Sequence, residues 1–464
     1  MSKKSKYKTS IFIFRRDLRI YDNRGLSEAL HNSQTVIPLF FLEDKYLNPE
    51  NERLFRPNAL QFIFESLTEL NEKLESIGSK LYIFKGNLFE NLNRFILSYK
   101  IEALFLNEDY SKLSRNRDSC IKKICDENVI SFNSSFDHLL TKPGSVLTQD
   151  EKPYRVFTPF YKSALTINVD KPEYKISDNF FKYQIADSYP AAKLKELLPM
   201  VNENLAQKGG RKAAVLTLKK IGGFKNYMEE RDIPSVNGTT MLSAHLRFGT
   251  ISVRELYWKV RESHGLNHTL IAELLWRDFY YHLGFYYPHV FNGAFIKKYD
   301  SLKWENENSK FEAWCKGETG FPIVDAGIRQ LNTTGWMHNR LRMIVASFLT
   351  KDLHIDWRWG ENYFRSHLVD YDPFSNNGGW QWAASTGADS QPYFRIFNPW
   401  RQQERFDPDA KYIKKWVPEL EDIDKSTIHK LDKEGLLMKI VYPKPIVDHK
   451  TESEKAKNYY KETV

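Results

Sequence analysis

The spacing of apolar residues changes period once along the chain, and that change constrains the fold more than any single motif. Up to about residue 130, short apolar runs at residues 11–14, 36–41, 81–84 and 103–106 alternate with stretches of helical spacing. Leu60, Ile63, Phe64, Leu67, Leu70 and Leu74 recur at intervals of three and four, and so do Leu88, Leu92, Phe95 and Ile96; each stretch therefore turns one apolar face to a partner. Alternation of such helices with buried strands predicts a doubly wound parallel sheet with right-handed crossovers and helices on both faces. Ligands of these sheets sit at the carboxyl ends of the strands, where Arg15, Arg16 and Asp17 follow the first run.

From 131 to 200 the periodicity fades into Ser, Asn, Lys, Pro and Tyr. That is too long for a structureless loop inside one compact domain, so a connector draped over two units is predicted. Beyond residue 200 the pattern is mostly helical, as in Leu270, Leu274, Leu275 and Asp278 onward, or Trp336, Leu341, Ile344, Val345 and Phe348. The expected organisation is an α/β domain over 1–130, an inter-domain linker over 131–200 and an all-α domain over 201–464, in keeping with what 464 residues can bury. The polar stretch 452–464 reads as a short tail.

Composition narrows the partners less than the pattern narrows the fold. A net charge of +9 suits a polyanion, yet the excess is spread evenly along the chain, and a solvated basic surface explains it as well. Cys120, Cys125 and Cys315 have neither the number nor the spacing for a disulfide framework or a zinc site. No apolar run approaches a signal-peptide core or a membrane span, so a soluble, intracellular, metal-free protein is expected.

All eleven tryptophans lie from Trp258 onward, so the aromatic chemistry belongs to the second half. Residues 376–387 set Trp380 and Trp382, the carboxamides Asn376 and Asn377 and five glycines and alanines within twelve positions, a segment able to lie flat against a planar ring. Asp370 and Asp372 stand just before it, and Met337-His338-Asn339-Arg340-Leu341-Arg342-Met343 lies upstream. Neither common Gly-rich phosphate cradle occurs. Thr239, Thr240, Met241, Leu242 and Ser243 precede a helical stretch, and hydroxyls with free amides there make an anion site, although a simple N-cap explains them too. Glu273 and Trp276 are one helical turn apart and share a face.

These residues, with Phe14-Arg15-Arg16-Asp17-Leu18-Arg19 near the start, Glu273-Leu274-Leu275-Trp276-Arg277-Asp278 and Tyr393-Phe394-Arg395-Ile396-Phe397-Asn398-Pro399, resemble the class I cyclobutane pyrimidine dimer photolyases of the photolyase and cryptochrome flavoprotein family. The resemblance implies an FAD-binding helical domain, an antenna-type α/β domain and light-driven repair of pyrimidine dimers in DNA by a monomer. It assigns Tyr227, Thr239, Thr240, Met241, Leu242 and Ser243 to the FAD pyrophosphate, Arg277, Arg342, Asp370 and Asp372 to FAD binding, and Asn376 to flavin N5. Trp276 and Trp382 match the two indoles that wedge a flipped-out dimer; Glu273, Asn339 and Met343 match its other contacts. Arg231, Arg340, Arg395 and Gln402 match DNA-contacting positions, and Trp380, Trp357 and Trp304 a chain of indoles that carries electrons from the surface to the flavin.

Against the alternative of a light-sensing cryptochrome stand Asn376, where plant members place an aspartate and insect ones a cysteine, and the full set of dimer contacts. A (6-4) photoproduct enzyme would carry a second histidine where Asn339 follows His338. Folate-antenna members have an Asn-Glu pair where this chain has Leu113 and Ser114, so folate is disfavoured and the second chromophore stays open.

Overall fold

The computed structural model describes residues 5–52, 54–390, 392–431 and 441–463. The first unit is a parallel sheet of β1 (Tyr7–Phe14), β2 (Ser33–Leu42), β3 (Tyr82–Lys85), β4 (Ala103–Asn107) and β5 (Ser131–Ser135), in the order β3-β2-β1-β4-β5. Every apolar run predicted as a strand is one. The period-2 alternation of side chains splits each run between two cores. Phe12, Phe14, Val36, Phe40 and Phe105 pack with α1 (Arg24–Asn32) and α2 (Pro57–Glu75); Ile11, Ile13, Leu39, Phe84, Leu104 and Leu106 pack with α3 (Leu88–Tyr99) and α4 (Lys112–Glu127). Asn23, Asn87 and Ser111 cap α1, α3 and α4 through their side chains.

β5 corrects the boundary drawn at residue 130. Its sequence, Ser-Phe-Asn-Ser-Ser, lacks an apolar run because it is an edge strand with partly exposed side chains, and its pairing with β4 is what extends the sheet. The connector beyond it is also structured. It holds α5 (Phe157–Ala164), bridges β2 at Val36–Phe180 and β3 at Ile83–Tyr189, and contributes Leu140, Val146, Phe157 and Phe160 to the core of the second unit.

That second unit is helical: α6 (Arg211–Lys219), α7 (Tyr227–Glu230), α8 (Ser243–Phe248), α9 (Val253–His264), α10 (Thr269–Tyr286), α11 (Asn308–Lys316), α12 (Pro322–Thr334), α13 (Asn339–Lys351), α14 (Trp357–His367), α15 (Pro373–Ala383), α16 (Pro399–Phe406), α17 (Lys411–Trp416), α18 (Lys425–Ile428) and α19 (His449–Thr463). Proline at the first turn starts α12, α15 and α16, and left-handed Gly317 and Gly335 end α11 and α12. Trp336 lies outside α13, in the turn before its cap His338, and packs against the core beneath α2. The polar tail is α19, docked by Ser453, Ala456 and Tyr460 at helical spacing. No described helix is long and apolar enough to cross a membrane.

Candidate functional site

Asp372 caps α15: its Oδ1 accepts from the amides of Phe374 (3.0 Å) and Ser375 (3.2 Å). Its Oδ2 accepts from the Tyr281 hydroxyl and faces Arg247 (3.3 Å) and Arg16 (3.7 Å). Burial works to raise this carboxyl, but Arg247, Arg16 and Arg277 together hold it below the ordinary range. Arg16 follows β1, so the sheet's carboxyl end is fastened to the helix that begins at Asp372. At this end of the sheet Arg15 pairs with Asp118, Arg16 with Asp109 (2.8 Å), and Asp17 accepts from Asn107 (2.5 Å).

On α15 the Asn376 Nδ2 donates to the Glu361 carbonyl (3.2 Å), which aims the amide oxygen away from that contact. Gly379, one turn on, is exposed, with no other residue's atoms beyond its own helix within 4 Å of where a Cβ would stand, so half-buried Asn376 and exposed Gly379 form an open stripe on α15. A Cβ on Gly378 would lie 2.1 Å from the Tyr280 ring, and this close approach fixes the spacing of α15 and α10. Arg342 donates to both Asp370 oxygens (2.8 and 3.1 Å) and to the Met337 carbonyl (2.8 Å), a fixed cation at the edge of the same region. Glu361 is partly buried, and desolvation pushes its carboxyl up to about 7 against the pull of Arg365.

Three chain segments meet at a second face. Arg231 pairs with Glu273 on α10; Asp232 pairs with Arg340 at the start of α13 (2.8 Å), and Arg340 lies 4.3 Å over the Phe406 ring. Asn339 is exposed and approaches Met343 Sδ (3.8 Å). The structure thus brings Arg231, Glu273, Asn339, Arg340 and Met343 together, with the expected DNA cations neutralised by carboxylates of this chain. Burial raises the Glu273 carboxyl, although Arg231 opposes it. Trp276 is one turn along α10, partly exposed; Trp382, on α15, is partly exposed with its ring 6.4 Å from Phe397. Arg395 is exposed; Gln402 lies on α16 with its Oε1 buried and unpartnered among the described residues.

Trp380 and Trp357 are buried, and Trp304 is half-buried at the margin of the same core. The Trp380 ring packs on the Cα of Gly360 in α14, where a Cβ would come within 2.0 Å, and its ring neighbours are Phe364 (5.0 Å) and Trp314 (6.2 Å).

No side chain of its own N-cap residue closes α8; Ala244 donates instead to Gln207 (3.0 Å), and Ser243 Oγ accepts from Gln207 (3.1 Å). Among the described residues, the amides of Thr239, Thr240, Met241 and Leu242 find no protein acceptor. Met241 holds a left-handed φ of 53°, and successive amides around such a residue converge on an anion. Tyr227 is buried nearby in sequence order on α7, under Arg231 (5.9 Å to the ring). These unpartnered donors fit a pyrophosphate better than they fit a helix cap.

Residues 10–175 match the DNA photolyase family, and residues 270–462 match the FAD binding domain of DNA photolyase. A deoxyribodipyrimidine photo-lyase of Vibrio cholerae is 35% identical, over 97% of this chain and 98% of that protein. The chain belongs to the photolyase/cryptochrome family. Its fold is similar to an archaeal photolyase from Sulfolobus tokodaii solved with two FAD molecules (42% identity, TM-score 0.88, covering 98% of this chain and 100% of that one). It is similar also to a class III photolyase from Agrobacterium tumefaciens (33% identity, TM-score 0.91, covering 100% and 99%). The helical unit is accordingly an FAD-binding domain, and the open stripe of α15 and the amides of residues 239–242 suit that cofactor.

Several residues of the site escaped sequence reading. Tyr281 and Arg247 join the expected Arg277 around Asp372, and His138 of the connector accepts from Arg277 through its carbonyl (2.9 Å). Phe157, also in the connector, stacks on Trp276. Their side chains carry no local signal, since each matters only through a partner more than ninety residues away. A cleft of about 490 Å³ opens between α4 and residues 288–292, lined by Lys112, Arg115, Asn116, Ser119, Pro288, His289 and Asn292.

Proposed function

We propose that this chain is a class I cyclobutane pyrimidine dimer photolyase, splitting pyrimidine dimers in DNA under blue light. The observation that carries the reading is the close packing of α10, which bears Glu273 and Trp276, on α15, which bears Asn376 and Trp382, at a spacing fixed by Gly378 against Tyr280. Bound in reduced form, FAD supplies absorption of blue light and the electron that opens the dimer and is returned after the split.

The protein's own groups bind and orient. The amides and hydroxyls of Thr239, Thr240, Met241, Leu242 and Ser243, with Tyr227, hold the pyrophosphate, and Arg277, Asp370 and Asp372 frame the rest of FAD. Arg342, fixed by Asp370, would supply positive charge to offset the negative charge of a bound, reduced flavin, which a poorly solvated site rewards. Asn376 accepts a hydrogen bond through its amide oxygen and cannot titrate. Trp276 and Trp382 offer stacking faces to the flipped-out pair, while Glu273, Asn339 and Met343 meet its edges. Arg231, Arg340, Arg395 and Gln402 position the DNA backbone without reading sequence, and the carboxylates that pair with Arg231 and Arg340 give way to phosphate. Trp304, Trp357 and Trp380 pass electrons inward.

One chain carries every group, which supports action as a monomer. Leu113 is exposed and Ser114 is tied to the cap of α4, so no Asn-Glu pair holds a folate beside the cleft at Lys112 and Arg115. Illumination of the reduced protein with an oligonucleotide carrying a thymine dimer should restore the intact bases, with none restored in darkness. A protein that binds FAD and dimer yet leaves the dimer whole after illumination would be a photoreceptor instead.

A further inference from the structure

Trp276 is partly exposed, yet one of its two faces is stacked against a neighbouring ring. The Phe157 ring lies parallel to it, 3.7 Å between centroids and 10° between planes. Aromatic pairs left to themselves prefer an offset or an edge-to-face arrangement over a sandwich, so a near face-to-face contact this close is imposed by its surroundings. The surroundings are identifiable. Phe279 stands edge-on to both rings, 5.8 Å from Phe157 and 5.7 Å from Trp276. Phe157 opens α5, whose N-cap residue Val156 supplies no side-chain bond; the Phe157 amide donates instead to Asp389 Oδ2 (3.1 Å). Asp389 sits in a left-handed conformation (φ 49°) in the loop that follows Trp382 and α15. The connector helix that backs Trp276 is therefore tied to the segment that carries Trp382.

We infer that Phe157 is a positioning residue for recognition of the damaged bases: it occupies the inner face of Trp276, fixes the tilt of the indole and leaves the outer face to stack on the dimer, while Asp389 sets its distance from the Trp382 side. This rests on the function proposed above. A purely packing role is the alternative, and the neighbouring Phe160, wholly buried against Phe279 and His282, already fills the core there. Phe157 differs from it in stacking on the half-exposed indole. An indole without that backing pivots about its side-chain torsions and presents the dimer with a face of variable tilt.

The test is the ratio of affinities of the FAD-loaded protein for dimer-containing and undamaged duplexes of one sequence. Misfolded protein scales both affinities alike, so the ratio stays readable in a destabilised variant. Phe157→Leu, which keeps bulk and loses the plane, is expected to lower the ratio about tenfold, within what a base–aromatic stack is worth, with affinity for undamaged DNA unchanged. Phe157→Tyr should restore it, and Asp389→Ala, which leaves every ring in place, should lower it in the same direction. A parental ratio in Phe157→Leu, or a failure of Phe157→Tyr to rescue, overturns the inference and leaves the proposed function standing. A parent protein with no preference for dimer overturns both.

Discussion

Trp304 is half-buried where Trp357 and Trp380 are buried, a gradient that suits an electron path ending near solvent and equally suits ordinary packing. Replacement of the outermost indole separates the two. Trp304→Phe keeps an aromatic packer at the margin of the core but removes its oxidisable ring. Light-driven reduction of oxidised, bound FAD by an external reductant should slow sharply, because a charge stranded on Trp357 recombines before solvent reaches it. Repair by protein reduced chemically beforehand should hold at the parental rate, since a flavin already reduced needs no electron through Trp304. Photoreduction of Trp304→Phe at the parental rate would leave Trp304 as a packing residue only.

α10 is the element on which the site turns. Glu273, Trp276 and Tyr280 run along one side, and Asp278, fully buried, anchors the connector by accepting from the Thr141 amide (2.7 Å) and hydroxyl (2.9 Å). Its other oxygen has no partner among the described residues, and burial pushes the carboxyl from 3.8 up to about 7 against the pull of Arg277 and the Thr141 bonds. A pKa raised on folding means that the native state favours the protonated acid. The stabilising contribution is thus complete below about 3.8 and is lost as pH climbs to about 7. Asp278→Asn has nothing to titrate, so its melting temperature relative to the parent should rise between about pH 5 and about pH 8. A constant difference over that range would mean that Asp278 is ionised throughout.

The whole molecule is held together across its two units by buried charges. Arg16, at the end of β1, meets Asp109 of the α/β unit, Tyr281 of α10 and the cap carboxylate Asp372 of α15; Arg19 meets Asp137 (2.6 Å), and Arg254 meets Asp22 (3.0 Å) and Asp137 (2.8 Å). Removal of one partner from such a pair strands the other, at a cost of about 3–5 kcal/mol. Arg16→Met should therefore lower unfolding stability by about that much and loosen retention of FAD, whereas Arg24→Met, whose partner Asp170 is mostly exposed, should change stability by less than about 1 kcal/mol. Equal losses in urea unfolding would remove Arg16 from its coupling role. The first four strands and the helices packed on them were legible in the sequence, because short apolar runs and three-four spacing are local consequences of burial. It also determined the family and the types of residue at the site, through motifs contiguous in the chain. Tertiary contacts alone show that β5 belongs to the sheet, that Arg16 reaches the cap of α15, that Arg231 and Arg340 are paired with Glu273 and Asp232, and that Phe157 lies on Trp276. Each is a contact between segments far apart in sequence, and neither periodicity nor composition encodes which distant partner a polar edge, a guanidinium or a ring will meet.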